Sequence, residues 1–520
     1  MSTSLTEPDP AHVEGRAARS GDQELRHTMA DVLGRWPSAG LAVGVVREGA
    51  PDWFVGHGVA DVDSRTPITA GTVFRIGSVT KTFTAIAVMQ LWEQGLVDLD
   101  AAASTYLRSF RLVPAAGVHD PTVRHLLTHT AGIGYWRRMS DLLRPGLGSG
   151  DRALRAGAAP LAEYYRKGLP VEVEPGTKWA YSNHGFATLG QIVEDVTGQP
   201  FDEYLRTHIL ERLHMKHTDL VRSRRVLPDL ATGYVLRSDG LRPVADREIP
   251  TPAAGGLYST TEDMTRYVVA LLSSSAGRAG PLLRAETLAQ MWGPHFREDP
   301  REPGAGLGFE LGDERGHRTV GHSGVVSGFL SAVTTAPDDG IGVIVLSNTG
   351  SLNGSGAPAE LATALLRQLL GLPRRSVRDD ISPRPESWSR ICGWYGPDPG
   401  PVTNLFLRAL MGAGAEVVVR DRQLVLKPLT PIPSMRRGLR LHPDDPDDPD
   451  VFRIDFSDVG GPPPLRVVFS DGSGDTAPAP RLLMQGMALR KRPDVLNPRR
   501  WVTAVPLAAA AALTVRRALR

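Results

Sequence analysis

The strongest hydropathy pattern in the chain is residues 74–91, where apolar and small residues occupy nearly every side of a helical projection. A helix that is apolar all round is a buried one. The stretch opens on the small pair Gly77-Ser78 and stops at Gly95, which predicts a core helix with a serine at its first turn. Before it, residues 23–36 alternate with an amphipathic helical period. Two runs rich in β-branched and aromatic residues, 41–46 and 53–59, flank Glu48-Gly49-Ala50-Pro51 and predict a hairpin. After it, residues 120–132 read as a helix ended by a glycine turn. Residues 151–220 read as mostly helical, broken by a turn at 174–183 that enters a helix near Asn183. Gly255-Gly256 leads to Ser259, which with Glu262 predicts a capping box. Three more strands are expected around 317–320, 329–335 and 341–346, then a helix over 357–370.

Strands at both ends of the first 370 residues, with helices between, predict an α/β (α+β) fold. One antiparallel sheet is built from both ends and flanked by helices, and the helical middle forms a lobe against it. The core helix then lies at the seam, where pockets form. Beyond a Pro- and Arg-rich linker, short alternating runs at 417–426, 451–456 and 465–469 predict a small all-β domain. The acidic loop 443–449 holds three prolines and reads as a solvated turn rather than a calcium loop. The expected organisation is a polar tail (1–22), a main domain (23–370), a linker (371–386), a β-rich domain (387–490) and a basic and apolar tail (491–520).

Composition narrows the function. Against 59 Lys and Arg stand 57 Asp and Glu, a net charge of +2 with no basic stripe among aromatics, so no nucleic-acid partner is expected. The single cysteine, Cys392, excludes an internal disulfide and a cysteine-built zinc site and is expected to pack as a small hydrophobe. His125 and His129 have the spacing of a zinc pair, but no Glu follows the first and no third ligand is evident, so capping and packing roles are expected instead. Neither a metal nor a cofactor is expected. Residues 1–26 are polar and charged, without the apolar run of an export signal, which predicts a cytoplasmic protein. Residues 501–515 are apolar between arginine pairs but fall short of the roughly 20 needed to span a bilayer. A docked helix or a weak membrane contact through this tail are both open, as is the oligomeric state.

Chemistry concentrates at the start of the core helix. Ser78 and Lys81 are three apart and leave one face of a helix with Cβ atoms about 5–6 Å apart. Unpaired N–H groups and the dipole at a helix start favour developing negative charge. A lysine in an apolar setting loses its proton more readily. The chain holds six lysines (Lys81, Lys167, Lys178, Lys216, Lys427, Lys491) against arginine nearly everywhere else. Keeping one inside an apolar helix suggests a group that must be able to deprotonate, which arginine cannot do. A serine beside such an amine is a nucleophile with its own base.

Ser78-Val79-Thr80-Lys81, Tyr181-Ser182-Asn183 and Gly321-His322-Ser323-Gly324 occur in that order. With Phe74-Arg75-Ile76-Gly77, residues 122–130 and Leu346-Ser347-Asn348, the chain resembles the serine β-lactamase and penicillin-binding-protein family over residues 41–370. It is most similar to the class C-like branch of esterases, D-aminopeptidases and DD-peptidases. The resemblance implies that Ser78 forms an acyl-enzyme and that Tyr181 shares a proton with Lys81, leaving open which of them is the base. It implies that Asn183 holds Lys81 and a substrate amide oxygen. The N–H groups of Ser78 and Val325 would bind the oxyanion, and Gly324 would let the substrate lie along the strand. His322 stands where drug-destroying members carry a lysine. A residue with a reference pKa of about 6.5 attracts a substrate carboxylate less well, which favours esters or small amides. The expectation is an esterase-like serine hydrolase with a small ester, amide or β-lactam partner. A β-lactamase or D-Ala-D-Ala carboxypeptidase or D-aminopeptidase is the alternative, and a non-catalytic binding or assembly protein the alternative from another class.

Overall fold

The computed structural model describes residues 21–135, 160–275, 281–350, 356–397, 414–430, 434–456, 464–471, 480–484 and 487–499. The polar stretch before residue 21, the start of the 151–220 region and the apolar tail 501–515 lie outside the described residues. The chain divides into two units, Met1–Arg375 and Ser376–Arg520.

In the first unit the strands pair across the whole length of the chain. A seven-stranded sheet runs in spatial order Glu310–Glu314, His317–Val326, Phe329–Ala336, Ile341–Ser347, Gly40–Arg47, Ala50–Asp61 and Thr66–Pro67. Its centre is the antiparallel pairing of Gly40–Arg47 with Ile341–Ser347, Val43 opposite Val345. This is the sheet made from both ends that the hydropathy pattern predicts. The run 41–46 is apolar at nearly every position because both faces are covered. Leu41, Val43 and Val45 pack with Leu25, Met29 and Val32 of the Asp22–Arg35 helix and with Leu361 and Leu365 of the Ala357–Leu369 helix. Ala42 and Val46 turn to the opposite core, which holds the helix Thr261–Ser275 and the helical lobe. Gly44 lies on that side, where a Cβ would fall 2.7 Å from the Thr261 methyl, so the helix rests directly on the strand.

Between the two halves of the sheet the chain forms the lobe around the helix Thr80–Glu93, every residue of which from Thr80 to Leu91 is buried. The region 120–132 is less helical than its pattern suggests. Only Val123–Leu127 is helix, started by a capping box in which Thr122 and His125 exchange side-chain and backbone bonds. The box expected from Ser259 and Glu262 gives way to a single cap bond one residue later, since Glu262 N bonds Ala70 O and the Asp263 carboxylate is held by His217 N, Thr218 and Arg266. Ser259 is taken up by pairing with Phe74 and by a 2.8 Å contact with Thr218, and Thr260 Oγ1 accepts from Asp263 N at 3.0 Å.

In the second unit, eight antiparallel strands from Gly393–Pro397 to Met487–Arg492 close into a barrel, the first pairing with the last. Arg420 and Gln423 face each other across the hairpin, with Asp421 and Arg422 at positive φ. Among the described residues no helix is long and apolar enough to cross a membrane.

Candidate active site

Ser78 lies on a single 3₁₀ turn, Gly77–Val79, that leads into the Thr80–Glu93 helix rather than inside the helix itself. Gly77 takes φ +50°, and a Cβ there would fall 2.8 Å from Val325 N. Only glycine permits both that backbone and that approach. Thr80 pins the turn from below, donating to Gly77 O at 2.6 Å and accepting from Leu257 N at 3.1 Å.

One turn on, Lys81 is 0% exposed. Its Nζ reaches Ser78 Oγ at 3.1 Å, Asn183 Oδ1 at 2.8 Å and Ala254 O at 2.7 Å. Burial holds the amine well below the usual lysine range, against a weaker pull from the negative charge of Glu310. A neutral amine has two N–H donors and one lone pair. The ammonium donates to all three oxygens; in the free amine that burial favours, the two shorter bonds, to Asn183 and Ala254, keep the hydrogens and the lone pair faces the Ser78 hydroxyl.

Asn183 is the first residue of the helix Asn183–Thr197, whose N-cap Ser182 accepts from Gly185 N at 3.2 Å. The cap fixes the direction in which Asn183 leaves the helix and, one residue earlier, the position of Tyr181. His129 backs the tyrosine. Its ring is 4.5 Å from that of Tyr181 and 5.0 Å from that of Phe186, and its Nδ1 accepts from Ser182 N at 3.1 Å. An accepting Nδ1 requires an imidazole without a proton there, and burial lowers its pKa accordingly. The Tyr181 phenol shares a hydrogen bond with Ser78, and burial pushes its pKa well above the usual phenol range. Lys81 Nζ stands 4.7 Å from the centroid of the Tyr181 ring. The bonds of Lys81 and Tyr181 therefore meet at the Ser78 oxygen.

The strand His317–Val326 closes the site. Alternation along it buries His322 and Gly324 and leaves Val325 50% exposed. A Cβ on Gly324 would fall 2.1 Å from Ile76 O and 2.2 Å from Ser331 Oγ, so the strand lies directly against the turn that carries Ser78. Ser331 Oγ donates to Ile76 O at 2.7 Å and locks that contact. Gly77 and Gly324 together bring the backbone of Ser78 beside that of Val325. His322 Nδ1 donates to Ser323 O at 2.6 Å, and burial lowers its pKa against the pull of Glu310, which favours the neutral ring. Its centroid is 6.4 Å from that of Tyr181. Ser323 turns the other way, its Oγ 3.3 Å from Glu310 Oε1.

The structure thus brings together Ser78, Lys81, Tyr181, Asn183 and His322, with the backbone of Gly324 and Val325. Three further contributors carry no pattern that marks them as part of the site, though the spacing of His129 from His125 singles it out. Ala254 acts through a carbonyl, His129 through packing behind Tyr181, and Glu310 through its charge. His129 does stand out once its histidine neighbour is seen to cap a helix instead of sharing a ligand.

The sequence model of the Beta-lactamase family matches residues 25–368. Protein flp of Staphylococcus aureus (strain MW2) is 26% identical over 346 residues, which are 65% of this chain and 65% of its own length. The D-aminopeptidase of Gluconobacter oxydans (strain 621H) is 28% identical over 363 residues, 69% of this chain and 64% of that protein. The chain therefore spans just under two thirds of the length of these curated relatives. Among solved structures, the octameric penicillin-binding protein homologue from Pyrococcus abyssi superposes with a TM-score of 0.59 at 25% identity, covering 90% of this chain and 100% of that one.

Proposed function

The chain belongs to the beta-lactamase family, and from that premise we propose that it is a serine hydrolase forming an acyl-enzyme through Ser78 on small esters or amides. One observation carries the reading. Lys81 is wholly buried, its two strongest bonds run to Asn183 Oδ1 and Ala254 O, and its third contact is the Ser78 hydroxyl. That is the arrangement of a base with its lone pair on the nucleophile.

Environment separates the roles of the two titrating groups. Burial drives the lysine towards the free amine and the tyrosine towards the neutral phenol, and groups pushed apart in this way divide base from acid. Lys81 takes the Ser78 proton as Oγ attacks the carbonyl carbon. The oxyanion forms between the N–H groups of Ser78 and Val325. Tyr181 gives its proton to the departing alkoxide or amine and recovers one from the Lys81 ammonium. Water then attacks the acyl-enzyme with the same pair as base and acid, and Ser78 is freed. Asn183 keeps the amine aimed at the serine throughout.

With a neutral His322 in the strand, uncharged esters fit this site better than anionic β-lactams, so the reading is esterase-like. It is tested with p-nitrophenyl acetate or butyrate: turnover by the purified protein is expected and is lost in Ser78→Ala. Absence of turnover, together with no labelling of Ser78 by a fluorophosphonate, overturns it in favour of a non-catalytic binding or assembly protein. The similarity to a D-aminopeptidase supports a second reading, cleavage of D-amino-acid amides. Intact-mass detection of acyl adducts over esters, β-lactams and D-alanyl peptides separates the two.

A further inference from the structure

The geometry points to Glu310 as the residue that sets the charge preference of this site, drawing substrates that carry a cationic amino group and turning carboxylates away. The inference rests on the reading of Ser78 as the nucleophile and adds the class of substrate it serves.

Glu310 opens the edge strand Glu310–Glu314, which pairs with His317–Val326 so that Glu310 stands opposite Gly321. From there its carboxylate reaches both residues that follow Gly321. Its Oε1 is 3.6 Å from His322 Nδ1 and 3.3 Å from Ser323 Oγ. The side chain is 56% exposed, so it stands at the mouth of the site and not in the core. Among the described residues His322 is its one ion-pair partner, and that imidazole spends its Nδ1 proton on Ser323 O. The carboxylate is consequently left without a full positive charge beside it.

Among the described residues, the remaining polar groups of the site bring no compensating cation. Ser78, Asn183 and Ser323 are neutral, and burial favours the neutral forms of Lys81, Tyr181 and His322. The field of Glu310 is the carboxylate field felt at all three of those groups. A cleft walled by low-dielectric protein and carrying one sign of charge concentrates ligands of the opposite sign. Here that sign is negative. A substrate ammonium gains a partner that is already in place and poorly paired, whereas a carboxylate meets repulsion from Glu310 and only a neutral ring at His322.

Three p-nitrophenyl esters of matched acyl length test this: butyrate, 4-(trimethylammonio)butyrate and hydrogen glutarate. In the full-length protein kcat/KM is expected to fall in the order cationic, neutral, anionic, with the cationic ester favoured over the neutral one by about tenfold, or ~1.4 kcal/mol. The ratio shrinks as ionic strength rises. Glu310→Gln brings the cationic-to-neutral ratio close to one, and Glu310→Lys places the anionic ester first. Because each ratio is taken within one protein sample, loss of folded material does not mimic the effect. A wild-type ratio at or below one, or a ratio unmoved in both variants, overturns the inference while Ser78-dependent butyrate turnover leaves the hydrolase reading standing. If no ester is turned over and Ser78 takes no fluorophosphonate, the hydrolase reading fails by itself. Calorimetric binding of butyltrimethylammonium against butyrate then decides the charge preference: tighter binding of the cation, lost in Glu310→Gln, supports it, and equal binding overturns it.

Discussion

Asn183 Oδ1 accepts a hydrogen bond from Lys81 Nζ at 2.8 Å, joining residues 102 positions apart. A helix cap fixes one end of that bond and a buried helix the other, so the amine is held with its free side towards Ser78. An amide oxygen accepts without bringing charge, and that keeps the lysine easy to deprotonate. Asn183→Asp retains the acceptor but adds a carboxylate beside the amine. An adjacent opposite charge favours the ammonium and raises the Lys81 pKa, by about 1–3 units for such a pair. The rising limb of kcat/KM against pH should move to higher pH by at least about one unit, with activity at neutral pH reduced. An unmoved limb would show that Lys81 is not the titrating base.

Tyr181 answers to the opposite shift. Its phenol is buried and held above the usual range, so it remains protonated well past the pH at which a free tyrosine ionises, about 10. No descending limb from Tyr181 is expected below that pH. Tyr181→Phe keeps the ring that packs on His129 and removes only the hydroxyl bonded to Ser78. Loss of a general acid costs on the order of 10²–10⁴ in kcat, and the melting temperature should change little. Stopped assays with a phenol-leaving ester and an amide check this, the amide suffering more because its leaving group needs the proton.

Gly324 tests the contact between strand and turn. A methyl there would fall 2.1 Å from Ile76 O, closer than real Cβ contacts come, so Gly324→Ala must push the strand from the turn that carries Ser78. The N–H of Val325 moves with it, and loss of one oxyanion donor costs about 10²–10³ in kcat. Ser323→Ala, whose side chain points to Glu310, should cost far less. Comparable losses in the two variants would mean that the backbone spacing is not what matters.

The readable part of this site is the part carried by side chains at fixed local spacing. Ser78 and Lys81 are three apart, and Tyr181 and Asn183 flank a cap, so short-range geometry places them. Ala254 left no mark because a carbonyl belongs to every residue. Glu310 left none because its strand is half exposed and too polar to read as one, with Glu310, Asp313 and Glu314 among five residues. The same limit explains the displaced helix cap. Ser259 and Thr260 are equal candidates locally, and only pairing of Ser259 with Phe74 decides between them. For the C-terminal strands, alternation predicts a β-rich domain, but closure depends on pairing Trp394 with Arg492, a long-range choice that no local period encodes.

Lys81 leaves a signature in stability as well as in catalysis. In the unfolded chain its pKa is about 10.4, while burial lowers it in the folded protein. Between the two values the unfolded chain binds a proton that the folded one does not, so the lysine costs stability there. Raising the pH through this window removes that proton, and the folded state gains by up to about 1.4 kcal/mol per unit. Below the folded pKa both states are protonated, and above about 10.4 neither is, so the contribution is flat outside the window. Lys81→Met removes the titration. It also leaves Asn183 Oδ1 and Ala254 O without their partner, a cost of about 1–3 kcal/mol for each unsatisfied buried acceptor that does not vary with pH in this range. The difference in unfolding free energy, wild type minus variant, should therefore rise steadily as the pH goes from 7.5 towards 9.5 (roughly the upper part of the window set by the reference value), whatever its starting sign. Urea unfolding of both proteins at each pH measures it. A difference constant with pH would mean that Lys81 titrates alike in the folded and unfolded chains, and the neutral amine required as the base for Ser78 would not exist.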